Sequence, residues 1–584
     1  MATISEALAI AVQHQQAGRL DAAEQIYQRI LQVEPDQPDA LHFLGVLTAQ
    51  LGRHQAAAAN ILRAIAVNPN VAPYHLNLGL VYQELWKLDE AVASYRRALQ
   101  LQPEFVEVHY NLGGALTAQG RIAEAEACYR RALQLRPGYV EAHNNLGNVL
   151  RDQGSLDQAI ACYRRALQLK PDFAMAHSNL LYTLHFSPGY DAQTIYEEHR
   201  RWNHQHGEPL ARLIQPHAND RTPDRRLRVG YVSPDFCSHA ECFFTVPLFS
   251  AHDHQSLEVF CYADVARPDD TTARLRSYAD VWRNITGRTD EQIAQLVRQD
   301  KIDILVDLTM HMARNHLLVF ARKPAPVQVC WLAYQGTTGL ATVDYRLTDA
   351  HVDPPGLHER YYAEESIRLP DSFGCYDPLA SEPAVNALPA LETGCITFGS
   401  INNFCKVNAD VFRLWAGVLR SVERSRLLLL AAEGSYRQDT LRLLEQEGVA
   451  PDRVTFVGKR SRAEYLRLCH RIDVGLDTFP YNGQTTSLDC FWMGVPVVTM
   501  VGKTAVGRAG LSLLTSLGLP EWIADGPQQF VRIAVELAGD LPRLGKLRAT
   551  LRERMQNSPL MDAPRFARNV EAAYRMMWQR WCAK

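Results

Sequence analysis

In the second half of the chain, a short apolar run, Val474-Gly475-Leu476, is followed by a polar turn and then by Asn482-Gly483-Gln484-Thr485-Thr486-Ser487-Leu488-Asp489. A helix starting in that stretch offers free N–H groups, the positive end of its dipole and threonine hydroxyls, a combination suited to a pyrophosphate. The Thr-Thr-Ser run is expected to cap the helix, and Asp489, one turn in, is placed to accept from ribose hydroxyls. An ordinary capped helix with no ligand has the same composition. Lys406 closes Ser400-Ile401-Asn402-Asn403-Phe404-Cys405-Lys406, again after an apolar run. A cation there can neutralise a departing diphosphate, although most loop lysines are solvated. His239 closes Gly230-Tyr231-Val232-Ser233-Pro234-Asp235-Phe236-Cys237-Ser238-His239. Imidazole is suited to proton transfer at neutral pH, but single loop histidines are more often plain surface residues.

Cys237, His239 and Cys242 lie close together, yet a fourth zinc ligand at familiar spacing is missing. Two free thiols near a loop histidine is the simpler reading. The chain contains no Asp-x-Asp pair to hold a divalent ion against a diphosphate. Leaving-group charge is therefore expected to fall to Lys406 and helix N–H groups, with no metal and no cofactor.

These groups need elements that place them together. From Arg226 onward, short apolar stretches alternate with amphipathic ones, the pattern of parallel α/β sheets. Strands are expected at 228–233, 259–262, 304–308, 327–332 and 345–348, and again at 396–399, 427–431, 454–457, 474–476 and 497–500. The turn-rich stretch 371–394 divides the two series. Two such sheets facing each other leave a cleft at the carboxyl ends of their strands, where ligands bind. His239, Lys406 and the 482–489 turn all follow strands.

The first half is built differently. Proline recurs at Pro35, Pro69, Pro103, Pro137 and Pro171, a spacing of 34 residues each time, which is the tetratricopeptide (TPR) period. In step with it run Gly45, Gly79, Gly113 and Gly147, then Ala23, Ala57, Ala91, Ala125 and Ala159, then Tyr27, Ile61, Tyr95, Tyr129 and Tyr163. Small residues let paired helices approach, the bulky column fills between pairs, and proline ends each second helix. Five repeats over 4–173 and a capping helix near 172–186 follow, making an α-solenoid with a concave groove. Asn77, Asn111, Asn145 and Asn179 form one more column. Their amides can grip the backbone of a peptide lying in the groove, or they can bond neighbouring repeats.

Composition limits the alternatives. At 47% hydrophobic and 21% charged, with a net charge of −3, the chain is ordinary for a globular protein and carries no electrostatic footprint for nucleic acid. The amino-terminal segment lacks a basic region, and its apolar stretch is interrupted by Gln13, His14, Gln15 and Gln16, unlike a signal peptide. No apolar run is long enough to span a bilayer. Twelve scattered cysteines without C-x-x-C pairs fit a reducing compartment. A cytoplasmic location, with no membrane and no nucleic-acid partner, is expected.

Tetratricopeptides followed by R-V-G-Y-V-S-P-D-F, P-A-P-V-Q-V-C-W-L-A-Y-Q-G-T-T-G and N-G-Q-T-T-S-L-D resemble the protein O-linked N-acetylglucosamine transferase family (glycosyltransferase family 41) in a bacterial form, over almost the whole chain. The resemblance implies a GT-B architecture of two Rossmann-like lobes with a cleft between them. It also implies inverting, metal-independent transfer from UDP-N-acetylglucosamine to serine or threonine hydroxyls of proteins recruited by the TPR groove. On this resemblance the domains are 1–186 (TPR), 187–225 (joint), 226–370 and 395–584 (catalytic lobes, the second binding the UDP-sugar), with 371–394 as linker.

By the same resemblance, Lys406, Thr485 and Thr486 contact the diphosphate, Asp489 the ribose, and His239 matches a cleft histidine proposed as base. Asn403 stands near the nucleotide, Arg460, Arg462 and Tyr465 frame uridine, and Leu332, Ala333 and Tyr481 border the sugar, with Gly483 and Gln484 in the turn beside them. The animal enzymes have histidine where Gln484 stands, lysine for Arg462, histidine for Tyr465 and tyrosine for Cys405. These departures leave another UDP-sugar open. A non-protein acceptor, or a scaffold that only senses nucleotide sugars, also remains compatible with the sequence.

Overall fold

The computed structural model describes residues 3–380, 383–458 and 460–584, and the chain forms two compact units, 1–150 and 151–584. In the first unit, helices of 13 and 14 residues alternate from Ile4–Gln16 to Ile122–Leu135, and Val140–Asp152 follows. The glycine column explains how closely the helices pair. A Cβ at Gly79 would sit 2.4 Å from the Tyr95 ring, and one at Gly45 would sit 2.5 Å from Ile61. Glycine and the bulky column are therefore complementary surfaces. A further column sits between the helices of each pair, where Gly18, Gly52, Gly120 and Gly154 turn with φ of +74° to +79°, and Trp86 takes the same place at φ 55°. The left-handed backbone there favours glycine.

The second unit begins inside the expected fifth repeat, whose second helix, Leu156–Leu169, belongs with it, as does the capping helix Ala174–Leu184. The stretch expected as a joint is folded. It contains the helix Ala192–Trp202, whose final tryptophan is fully buried in a core shared with Leu305, Leu317 and Phe320.

Two wholly parallel sheets follow. The first contains β1 (Leu227–Ser233), β2 (Leu257–Ala263), β3 (Val281–Asn284), β4 (Ile304–Asp307), β5 (Val327–Cys330), β6 (Tyr345–Asp349) and β7 (Glu365–Leu369), in the order β3-β2-β1-β4-β5-β6-β7. The second contains β8 (Thr397–Ser400), β9 (Arg426–Leu430), β10 (Val454–Val457), β11 (Val474–Leu476), β12 (Val497–Met500) and β13 (Ile523–Ala524), in the order β10-β9-β8-β11-β12-β13. Both orders reverse direction once, between β1 and β4 and between β8 and β11. Loops leaving those strands diverge and open a crevice, the place where such folds bind ligands.

The last helix, Ala563–Cys582, does not stay with the second sheet as the expected 395–584 lobe implies. It returns to the first: Tyr574 Oη lies 3.2 Å from Tyr231 Oη, and Trp578 donates to the Thr222 carbonyl at 3.2 Å. Its apolar face needs cover, and the first sheet supplies it.

Candidate active site

The loops after β1, β4, β5, β8 and β11 enclose a cavity of about 250 Å³ lined by His239, Glu241, Met312, Leu332, Ala333, Asn402, Asn403, Lys406, Tyr481, Gln484, Thr485 and Thr486, with Tyr182, Ala240 and Phe244 completing the wall. Both switch points therefore open onto one space.

Asp477, at the end of β11, fixes the polar turn. Its buried carboxylate accepts from the N–H groups of Thr478 (2.8 Å) and Gly483 (2.6 Å) and from the Thr499 hydroxyl (2.7 Å). Asn482 donates to the Thr478 carbonyl at 2.8 Å, and Asn408 to that of Phe479 at 2.7 Å. Gly483 is required by crowding, since a Cβ there would meet the Ser487, Thr486 and Asn402 side-chain oxygens at 2.6 to 2.9 Å.

The turn delivers the helix Thr485–Trp492, and its cap differs from the expectation. The N-cap is Gln484, which makes no side-chain capping bond, and Thr486 donates instead to Asn402 on the neighbouring loop after β8. The helix start is thus left without a side-chain cap, and its residues Gln484, Thr485 and Thr486 line the cavity. The Gln484 amide nitrogen is buried without a partner, an arrangement that is costly unless a ligand accepts from it.

Lys406 Nζ donates to the Asn482 carbonyl at 2.8 Å and lies 4.0 Å from the Tyr481 ring centroid. Burial pulls its pKa down to about 8, against the opposing influence of Cys405 and Asp477. An ammonium so poorly solvated gains from an arriving anion.

At the end of β4 in the first sheet, burial pushes Asp307 up to about 6, against donation from the N–H groups of Thr309 (3.1 Å) and Met310 (2.9 Å). Met310 and Leu332 hold φ of 47° and 83°. Left-handed backbone at non-glycine residues costs about 1–3 kcal/mol and is concentrated at functional sites. His239 is 39% exposed, with Nδ1 3.8 Å from Asp235 Oδ2. Burial raises Asp235, and burial together with Asp235 and Asp307 raises Glu241 well above the ordinary carboxylate range.

Not every expected residue reaches this space. Arg460 is exposed and lies outside the lining. Arg462 grips Asp489 through two bonds of 2.6 and 2.8 Å, stacks 4.1 Å over Phe243 and lies 5.8 Å from the Tyr465 ring. Asp489 also accepts from the Tyr376 hydroxyl. Its carboxylate is therefore held in place by Arg462 and Tyr376. Glu241, Asn402 and Tyr182 were missed from sequence. Asn402 had a signal in its place two residues after β8, whereas Glu241 and Tyr182 had none.

In the repeats, Asn77 meets His42 Nε2 at 2.7 Å and Asn145 donates to Tyr110 Oη at 3.2 Å, each reaching into the preceding repeat. Two asparagines of the column thus bond neighbouring repeats. Asn111 is half-buried and Asn179 is buried.

Known proteins resemble this chain in sequence and fold. A family model described as glycosyl transferase family 41 matches residues 175–380 and 384–570, and tetratricopeptide models match 8–73, 87–119 and 104–172. The probable UDP-N-acetylglucosamine peptide N-acetylglucosaminyltransferase SPINDLY of Petunia hybrida is 40% identical over 399 residues, 66% of this chain and 42% of that protein. The Arabidopsis thaliana protein SEC, carrying the same enzyme name, is 33% identical over 374 residues, 62% of this chain and 38% of its own length. The chain spans about two-fifths of the length of these curated relatives. A solved mutant of the Thermobaculum terrenum O-GlcNAc transferase superposes with a TM-score of 0.82 at 37% identity, covering 88% of this chain and 98% of that one. No helix among the described residues is long and apolar enough to cross a membrane. By the family model and the two-sheet architecture together, the chain belongs to glycosyl transferase family 41.

Proposed function

We propose that the protein is a glycosyltransferase that moves N-acetylglucosamine from UDP-N-acetylglucosamine to serine or threonine hydroxyls of proteins, with inversion and without a metal, in the cytoplasm. One observation carries the reading. The Lys406 ammonium, the unpartnered Gln484 amide and an uncapped helix start converge on one cavity at the switch points of both sheets. Such donors suit a diphosphate whose negative charge grows as it leaves. The names of the relatives, which specify UDP-N-acetylglucosamine and a peptide, support the same donor and acceptor class.

In this mechanism the donor's sugar lies between Leu332, Ala333 and Tyr481, with its diphosphate against Lys406, Gln484 and the Thr485–Thr486 N–H groups. The acceptor hydroxyl attacks the anomeric carbon from the face opposite the diphosphate, and a single displacement inverts the configuration. The hydroxyl proton passes to His239, directly or through one water. His239→Ala lowers kcat about a hundredfold if that transfer is direct, and near-normal kcat assigns the proton to the donor phosphate. Acceptor proteins are held by the repeats.

Incubating the protein with UDP-N-acetylglucosamine and a mixed peptide pool tests the reading. One N-acetylhexosamine per modified serine or threonine, with equimolar UDP released, is the expected mass-spectrometric result. Transfer only from a different nucleotide sugar overturns the donor assignment, and no transfer from any donor overturns the enzymatic reading.

A further inference from the structure

The β1 loop carries a group that the proposed transfer uses only in part. Asp235, His239 and Glu241 each present a ligand atom within 4.8 Å of the others, and they are the one such metal-competent group among the described residues. Glu241 is 6% exposed, and its Oε1 is buried with no hydrogen-bond partner, while its Oε2 has a single long contact, 3.4 Å from the Ser233 hydroxyl. The Cys242 thiol that the sequence placed beside His239 is engaged elsewhere, since its Sγ donates to the carbonyls of Cys237 and Asp235. What flanks the imidazole is a pair of carboxylates.

We propose that Asp235, His239 and Glu241 form a three-ligand site for a zinc-class divalent cation in the cavity wall, with the fourth coordination position open to the cavity. Two carboxylates and one imidazole form a donor set that zinc accepts, and three protein ligands leave room for a water or a substrate oxygen. Tetrahedral bonds of about 2.0–2.2 Å place ligand atoms about 3.4 Å apart. Closing the present spacing needs a shift of about 1.4 Å at most, which the half-exposed His239 side chain supplies in part by releasing the 3.4 Å contact that the Glu241 N–H makes to its Nδ1. The site is separate from the cationic group around Lys406, and it stands whether or not the donor is UDP-N-acetylglucosamine. Because it draws on His239, an ion there is expected to inhibit the proposed transfer.

The test is metal binding to the EDTA-stripped full chain, with zinc titrated against a chromogenic indicator and cobalt(II) as the spectroscopic probe. The expected result is one equivalent of zinc, bound at least tenfold more weakly by Glu241→Gln and by Asp235→Asn. Cobalt should give a visible spectrum of nitrogen and oxygen ligation with no thiolate charge-transfer band. Matched melting curves for the three proteins show that the variants fold. Equal zinc affinity in wild type and both variants, or a cobalt–thiolate band, overturns the proposal. So does the absence of any equivalent that competes with the indicator.

Discussion

Replacing Lys406 by methionine separates the burden of burying an ammonium from its use. Methionine keeps the unbranched length and removes the charge. The fall of the lysine pKa from 10.5 to about 8 means that the ammonium is disfavoured in the folded protein by about 3 kcal/mol. The hydrogen bond to the Asn482 carbonyl, lost in the variant, is worth about 1 kcal/mol. Lys406→Met is therefore expected to be about 2 kcal/mol more stable than wild type at pH 7. The sign then changes with pH. Between about pH 8 and 10.5 the unfolded chain still holds the proton that the folded protein has released, so wild-type stability rises with pH through that window. Above it, only the hydrogen-bond term remains and the variant is about 1 kcal/mol less stable. Titrating groups remote from Lys406 cancel in the difference. Tryptophan fluorescence during denaturant unfolding is the suitable assay, because every tryptophan except Trp86 lies in the 151–584 unit. A variant that is less stable by the same amount at pH 7 and pH 10.5 refutes the reasoning, since Lys406 would then carry no penalty for an anion to relieve.

Arg462→Met leaves Asp489, only 2% exposed, without its bidentate partner; a loss of about 3 kcal/mol is expected in the same fluorescence assay, and an unchanged midpoint contradicts the pairing. Gly79→Ala forces a methyl group into the Tyr95 ring, so the repeats should lose about 1–3 kcal/mol by circular dichroism. Alanine at Asn77, Asn111, Asn145 and Asn179 together should raise KM for long peptides while sparing donor hydrolysis. Unchanged KM makes the column purely structural, in keeping with the Asn77–His42 and Asn145–Tyr110 bonds.

The repeat helices could be read in advance because a 34-residue period repeats every packing decision. The Gly79–Tyr95 fit shows that both columns had one cause. Central strands were legible as apolar runs because both their faces are covered. Val281–Asn284 and Glu365–Leu369 escaped because edge strands, half-buried or charged, carry no continuous apolar run. Ile523–Ala524, two residues long, is too short to leave any pattern.

The same division holds at the site. Lys406, Gln484 and the two threonines follow strand ends and were visible by position, whereas the engagement of Asp489 depends on Arg462 and Tyr376, which lie 27 and 113 residues away. The open helix start also reversed a local rule, as Thr486 abandons the cap for Asn402 on another strand's loop. Local propensity is most often overridden at sites that bind something else.

The central claim is that this cavity is a diphosphate site that works through Lys406 without a metal. Isothermal titration of the full chain with UDP and with UDP-N-acetylglucosamine in EDTA, repeated on Lys406→Met, tests it directly. Saturable binding by wild type in EDTA, lost or weakened at least tenfold in the variant, is the predicted result. Binding that is equal in both proteins, or that needs a divalent ion, contradicts it.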